Sequence, residues 1–219
     1  GILEFKDSGK VGFLERPGDV GYTWDSIILP AKLKQDISGP IDFFLKNYDY
    51  DLWRKYGLPL KRGIVLDGPP GTGKSLISKI LISNVLKGIY GRQLTFLYVS
   101  SRHICKKEAV HNIYQIARRL NPSVVFIEDV DLIAGVGREY RKEVLDELLN
   151  QLDGAEALEG VMTIVTSNRG SELDPALVRS GRLGDKYFLG PPAGGERIDL
   201  FKLFTRKMAT PDPDYAAYA

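Results

Sequence analysis

The sequence predicts an α/β protein in which a parallel sheet is covered by helices on both faces. Three observations lead there. Apolar runs of strand length alternate with segments of helical periodicity. Two of those runs, Val124-Val125-Phe126-Ile127 and residues 161–166, are continuously hydrophobic, as strands buried on both faces are. The third is Gly68-Pro69-Pro70-Gly71-Thr72-Gly73-Lys74-Ser75, which follows the strand-like run 63–67 and precedes helix formers from Leu76 onward. It fits G-x-x-x-x-G-K-[ST] in the strand-to-helix context that this pattern requires.

Composition sets the frame for these elements. With 219 residues, 43% of them hydrophobic and 26% charged, the chain has enough apolar mass for one α/β domain with a substantial core. A formal charge of +2 gives no global reason to invoke nucleic acid or an anionic membrane as partner. Apolar runs stay far below the roughly 20 residues of a membrane span, and no secretory leader pattern opens the chain, so a cytoplasmic protein is expected. The single cysteine, Cys105, excludes an intramolecular disulfide and reads as a small, partly buried hydrophobe.

Taken in order, residues 1–22 alternate apolar and polar positions around Gly9-Lys10 and Arg16-Pro17-Gly18-Asp19, predicting short strands ahead of the main domain. Residues 31–46 place Leu33, Ile37, Ile41, Phe44 and Leu45 at helical spacing, with a kink or break expected at Gly39-Pro40. A connecting segment, 51–59, leads to the strand before the glycine-rich loop. Beyond the loop helix, residues 94–99 read as a strand and 109–120 as a helix with Ile113, Ile116, Ala117 and Leu120 on one face. Between the two continuous apolar strands, residues 141–152 carry a stripe of Val144, Leu145, Leu148, Leu149 and Leu152. Tyr187-Phe188-Leu189 forms a fifth strand, helical pattern covers 196–207, and Thr210-Pro211-Asp212-Pro213-Asp214 reads as a tail. The division expected is 1–22 strands and linker, 23–190 nucleotide-binding subdomain, and 191–219 the start of a helical region plus tail.

The chemistry follows from what the loop can hold. Gly68, Gly71 and Gly73 let backbone N–H groups turn inward round an anion, the next helix presents its positive end, and Pro70, Thr72 and Leu76 are expected among the positions that bind the nucleotide. Lys74 reaches β- and γ-phosphates, and Ser75 offers a hydroxyl to Mg²⁺. Glu128-Asp129 closes the buried strand 124–127, so one carboxylate holds Mg²⁺ and its neighbour polarises a water. Thr166-Ser167-Asn168 closes another, and the Asn168 amide can hold that water or the γ-phosphate without carrying charge. Arg179 and Arg182, flanking Gly181, suit delivery of a guanidinium to phosphate. His103 and His111 are read as solvated side chains, not a metal pair.

These four elements in this order resemble the AAA+ ATPases, and Leu148-Leu149-Asn150-Gln151-Leu152-Asp153-Gly154 with residues 173–182 resembles the AAA clade in the narrow sense. The resemblance runs from about Tyr22 to Phe204. It implies the P-loop NTPase fold of the AAA+ large subdomain, a five-stranded sheet followed by a helical lid. It implies a homo-oligomeric ring, usually hexameric, with ATP and Mg²⁺ bound between subunits, remodelling a macromolecular substrate, in the first place protein. Lys74 and Ser75 are then the Walker A lysine and Mg²⁺ ligand, Glu128 a further Mg²⁺ ligand, Asp129 the water-polarising acid, Asn168 sensor 1 and Arg182 the arginine finger, alone or with Arg179. Ser26, Ile27 and Ile28 match the segment lying against adenine.

Four positions depart from the family pattern. The acid pair is Glu then Asp where the family has Asp then Glu; Asp185 stands where a second finger is common; residues 100–107 lack the aromatic-hydrophobic-glycine loop of peptide-threading members; and 29 residues after the fifth strand are too few for the lid, which reads as truncated. The alternative function is an ATP-binding scaffold or assembly switch with weak hydrolysis. A GTPase lacks its guanine signature here, and a small-molecule kinase leaves Arg179 and Arg182 without a task.

Overall fold

A computed structural model describes residues 2–5, 11–13, 21–47, 55–56, 61–134, 142–153 and 160–206. The expected turns at residues 9–10 and 16–19, the segment 51–54 and 57–59, Gly154 and the tail lie outside the described residues.

The strands are β1 (Ile2–Phe5), β2 (Val11–Phe13), β3 (Lys61–Asp67), β4 (Thr95–Ser100), β5 (Ser123–Glu128), β6 (Val161–Ser167) and β7 (Asp185–Phe188). The helices are α1 (Ala31–Lys46), α2 (Lys74–Leu86), α3 (Lys107–Arg119), α4 (Asp131–Ala134), α5 (Lys142–Asp153) and α6 (Gly194–Thr205), with 3₁₀ turns at Trp24–Ser26 and Ser101–His103. One sheet runs β2-β1-β4-β5-β6-β3-β7. Its six strands from β1 to β7 are parallel, and β2 alone is antiparallel, against β1. The five strands foreseen from the sequence therefore form the middle and one edge of the sheet. Beyond β4 the short strands expected within residues 1–22 extend the same sheet: β1 pairs residue for residue with β4, Ile2 opposite Phe96 through Phe5 opposite Val99, and β2 forms the edge.

Strand alternation divides the core into two layers. Val65, Leu97, Val99, Val125, Ile127 and Val165 face α3 and α5 and meet Ile113, Tyr114, Val144 and Leu148. Their neighbours Ile64, Leu66, Phe96, Phe126 and Ile164 face the opposite way, onto Ile37, Ile41, Ile77 and Leu81 of α1 and α2. Both faces are thus dry, which is why β5 and β6 read as unbroken apolar runs.

Of the kink or break expected at Gly39-Pro40 the break is absent, since residues 31–46 form a single helix that runs through Pro40. Proline removes one helical donor, but Ile37, Ile41, Phe44 and Leu45 are each buried, and anchoring on both sides of Pro40 outweighs that loss. Cys105 is exposed, not partly buried: it lies in the turn just before α3, its Sγ 3.6 Å from the Arg102 carbonyl.

Candidate active site

The carboxyl ends of β3, β5 and β6 lie side by side, because β6 pairs with β3 on one side and β5 on the other. Each brings one functional segment: β3 the glycine-rich loop, β5 the acid pair, β6 Asn168.

The loop after β3 is held by backbone against backbone. Gly68 has φ +150°, and a Cβ there would stand 2.0 Å from the Leu189 carbonyl oxygen. Gly73 (φ +95°) caps α2, and the Ile27 side chain packs against it so closely that a Cβ would meet Cδ1 at 2.8 Å. Lys74 is buried, its Nζ donating to the carbonyls of Gly68 and Pro69 at 2.7 Å each. Burial pulls its pKa below the ordinary lysine value, while Asp129, Asp67 and Asp131 act in the opposite direction.

Asp129 leaves β5 in the left-handed region, φ +53°, a conformation that aspartate tolerates better than most residues. β6 fixes that turn: the Asp129 N–H donates to Thr166 Oγ1 at 3.0 Å and the Val130 N–H to the Thr166 carbonyl at 2.8 Å. Asn168 Nδ2 then donates to Asp129 Oδ1 at 2.9 Å, and the Asn168 N–H to Asp131 Oδ1 at 3.0 Å. Lys74, Ser75, Asp129, Thr166 and Asn168 all line one cavity of about 380 Å³ above the loop. A second cavity of about 1010 Å³ shares Gly71, Gly73 and Leu76 with it and is walled by Ser26, Ile27 and Ile28. Phosphate loop and the 26–28 segment thus border one continuous groove.

Glu128 does not line the smaller of these cavities. Its Oε2 accepts a hydrogen bond from the Tyr98 hydroxyl, and among the described residues its buried Oε1 has no hydrogen-bond partner. Arg182 is folded onto its own chain, donating to Asp153 and, at 2.6 Å, to the Ala176 carbonyl; the Asp153 hydrogen bond holds its pKa above the ordinary arginine value. Arg179 is exposed on the same loop. Asp185, at the second-finger position, is paired with Arg62, its Oδ2 2.9 Å from Nε and 2.7 Å from Nη2. Sequence reasoning passed over Asp67, which is buried and accepts from the Gly170 N–H at 2.8 Å while pairing with Lys186 at 3.2 Å, so it ties the loop base to the segment after Asn168. A carboxylate closing an otherwise apolar strand was the available signal.

Residues 64–191 match the model of the family described as "ATPase family associated with various cellular activities (AAA)". The chain belongs to the AAA family of ATPases. A nucleotide-binding groove is what the family implies for the site described above. AAA relatives include "Probable inactive ATP-dependent zinc metalloprotease FTSHI 2, chloroplastic" of Arabidopsis thaliana, 34% identical over 94% of this chain and 24% of that protein. A 26S proteasome regulatory subunit 6B homolog of Encephalitozoon cuniculi is 33% identical over 82% of this chain and 47% of its own length. A cell division cycle protein 48 homolog of Archaeoglobus fulgidus is 32% identical over 84% and 25%. This AAA chain therefore spans about a quarter to a half of the curated relatives it matches. Among the described residues, no helix is long and apolar enough to cross a membrane.

Proposed function

We propose that this chain is the ATP-hydrolysing domain of a ring-forming AAA protein that remodels a macromolecule, in the first place protein. The observation that carries the reading is the single cavity shared by Lys74, Ser75, Asp129, Thr166 and Asn168, with Asp129 anchored by Asn168 at 2.9 Å. A hydroxyl and a carboxylate beside a lysine form a set of hard oxygen donors that suits Mg²⁺, and outside that cavity the adjacent Glu128 has a buried Oε1 with no hydrogen-bond partner among the described residues. Ser75 and Glu128 would hold Mg²⁺, which supplies charge neutralisation at the phosphates when bound.

The protein's own groups divide the work. Backbone N–H groups of residues 71–75 and the N-terminus of α2 bind phosphate oxygens, and Lys74 exchanges its two carbonyl partners for them. Ser26, Ile27 and Ile28 hold the base side of the groove. Asp129 orients the attacking water and draws on its proton, and Asn168 keeps Asp129 from rotating away. Arg182 of a neighbouring subunit, released from Asp153, stabilises charge developing on the γ-phosphate, with Arg179 beside it. Arginine fingers contribute about 10³- to 10⁵-fold in rate, so separated subunits should turn over slowly.

A second reading, an ATP-binding scaffold with weak hydrolysis, is favoured by the engagement of Glu128 with Tyr98. One experiment separates the two: ATP turnover per subunit across a wide concentration series, with Arg182→Ala alongside and light scattering to report size. Turnover that rises with assembly and collapses in the variant supports the shared-site enzyme. Flat, negligible turnover with ATP bound supports the scaffold, and failure to bind ATP refutes both.

A further inference from the structure

Tyr98 is the residue that the nucleotide reading leaves without a task. It lies on β4 with its ring parallel to Phe126, 8° between planes and 6.3 Å between centroids, and packs against the core layer that contains α2. Glu128 follows Phe126 by two residues on β5, so its side chain leaves the sheet on the face toward Tyr98 and α2. The Tyr98 hydroxyl donates to Glu128 Oε2, and Oε1 is left buried without a partner among the described residues. The negative charges of Glu4, on β1 directly opposite Tyr98, and of Asp129 also bear on this hydroxyl. The Tyr98 hydroxyl is thus held directly against a carboxylate oxygen in a half-buried setting, an arrangement in which hydrogen bonds are strong.

Meanwhile the cavity holding Lys74, Ser75 and Asp129 is lined without Glu128. A glutamate has one more methylene than the aspartate found at this place in the family pattern, and so a longer reach. We propose that Tyr98 is a positioning residue that latches Glu128 onto β4, so that Mg²⁺ must compete with the tyrosine hydroxyl for this carboxylate. The latch makes the site more demanding of Mg²⁺ than Ser75 and the acid pair alone would be, and it rests on the nucleotide-site reading above.

The consequence is a shift in the Mg²⁺ requirement of nucleotide binding, not in binding without metal. A hydrogen bond to a charged group that must be broken for Glu128 to turn corresponds to roughly a tenfold effect on the half-saturating Mg²⁺ concentration. The test is the affinity of the 219-residue chain for a fluorescent ATP analogue, read by anisotropy in EDTA and across a MgCl₂ series, for wild type, Tyr98→Phe, Glu128→Gln and the double variant. Expected is a half-saturating Mg²⁺ about tenfold lower in Tyr98→Phe, with affinity in EDTA unchanged and the shift abolished when Glu128→Gln is also present. A Tyr98→Phe midpoint that is unchanged or raised overturns the latch while leaving nucleotide binding intact. Absence of analogue binding by folded wild type refutes the nucleotide reading itself. Should Tyr98→Phe fail to fold, ¹³C-tyrosine spectra of the wild type decide: the Tyr98 Cζ resonance must move when Mg²⁺ joins the bound analogue and stay in place in EDTA, and the reverse outcome overturns the proposal.

Discussion

Substituting Gly68 by alanine tests whether the phosphate loop is held by close backbone approach or merely by a flexible residue. The added Cβ would stand 2.0 Å from the Leu189 carbonyl oxygen and 2.9 Å from its carbon, at φ +150°. Neither neighbour can yield cheaply, because the Leu189 N–H donates to the Asp67 carbonyl at 2.7 Å and the Gly68 N–H to the Ser167 carbonyl at 3.2 Å. Backbone strain of about 1–3 kcal/mol and overpacking of about 1–3 kcal/mol combine to roughly 4 kcal/mol, after the small unfolded-state gain of alanine over glycine. For a chain of this size that lowers Tm by about 12 °C. Gly71→Ala is the internal control: it too has positive φ, +83°, but a Cβ there meets nothing within 4 Å. Only the conformational part remains, about 1–2 kcal/mol or roughly 5 °C. Thermal unfolding of both variants by circular dichroism, with urea midpoints as a check, compares the same chemical change with and without a backbone neighbour. Equal losses for the two variants, or a Gly68→Ala shift under about 3 °C, would refute the close-approach account.

Two further outcomes follow from the same geometry. Thr166→Val keeps the shape of the strand end but removes the acceptor of the Asp129 N–H at 3.0 Å; stability should fall by about 1–2 kcal/mol, and ATP turnover about tenfold with ATP affinity within threefold. Unchanged turnover would show that the Asp129 turn does not depend on this bond. Tyr90 is buried, and that burial pushes its hydroxyl from 10.0 up to about 12, so the folded chain keeps a proton that the unfolded chain releases above pH 10. Its contribution is complete below pH 10 and is lost as pH rises through about 12, up to roughly 3 kcal/mol. Buried Tyr114 shifts the same way, so urea unfolding at pH 9 and 11.5 should show a steep alkaline loss that Tyr90→Phe reduces but does not abolish. An identical slope in that variant would refute the assignment to Tyr90.

The alternation of strands and helices, the glycine-rich loop and the acids and amide at strand ends were all legible in the chain. The physical reason is that each is local: a strand buried on both faces needs an unbroken apolar run, and a loop that wraps an anion needs glycines at fixed offsets. Residues within eight positions of one another cannot separate far, so Lys74 and Ser75 are bound to share a site.

What the tertiary structure decided is everything that depends on which strands become neighbours. Strand order puts β5 and β6 side by side, and only that brings Asn168 to Asp129 across 39 positions of sequence. It also sets Tyr98 against Glu128, Asp67 against Gly170 and Arg182 against Asp153, contacts between residues whose separate local patterns contain no trace of one another. The same holds for β1: a four-residue run carries too little periodicity to name its partner, and its pairing with β4 follows from an open parallel edge whose N–H and C=O groups need satisfaction. Sequence alone determined which chemical groups this protein has at its strand ends. The packing of those strands determined which of them touch, because hydrogen bonds at 3 Å are set by the sheet and not by distance along the chain.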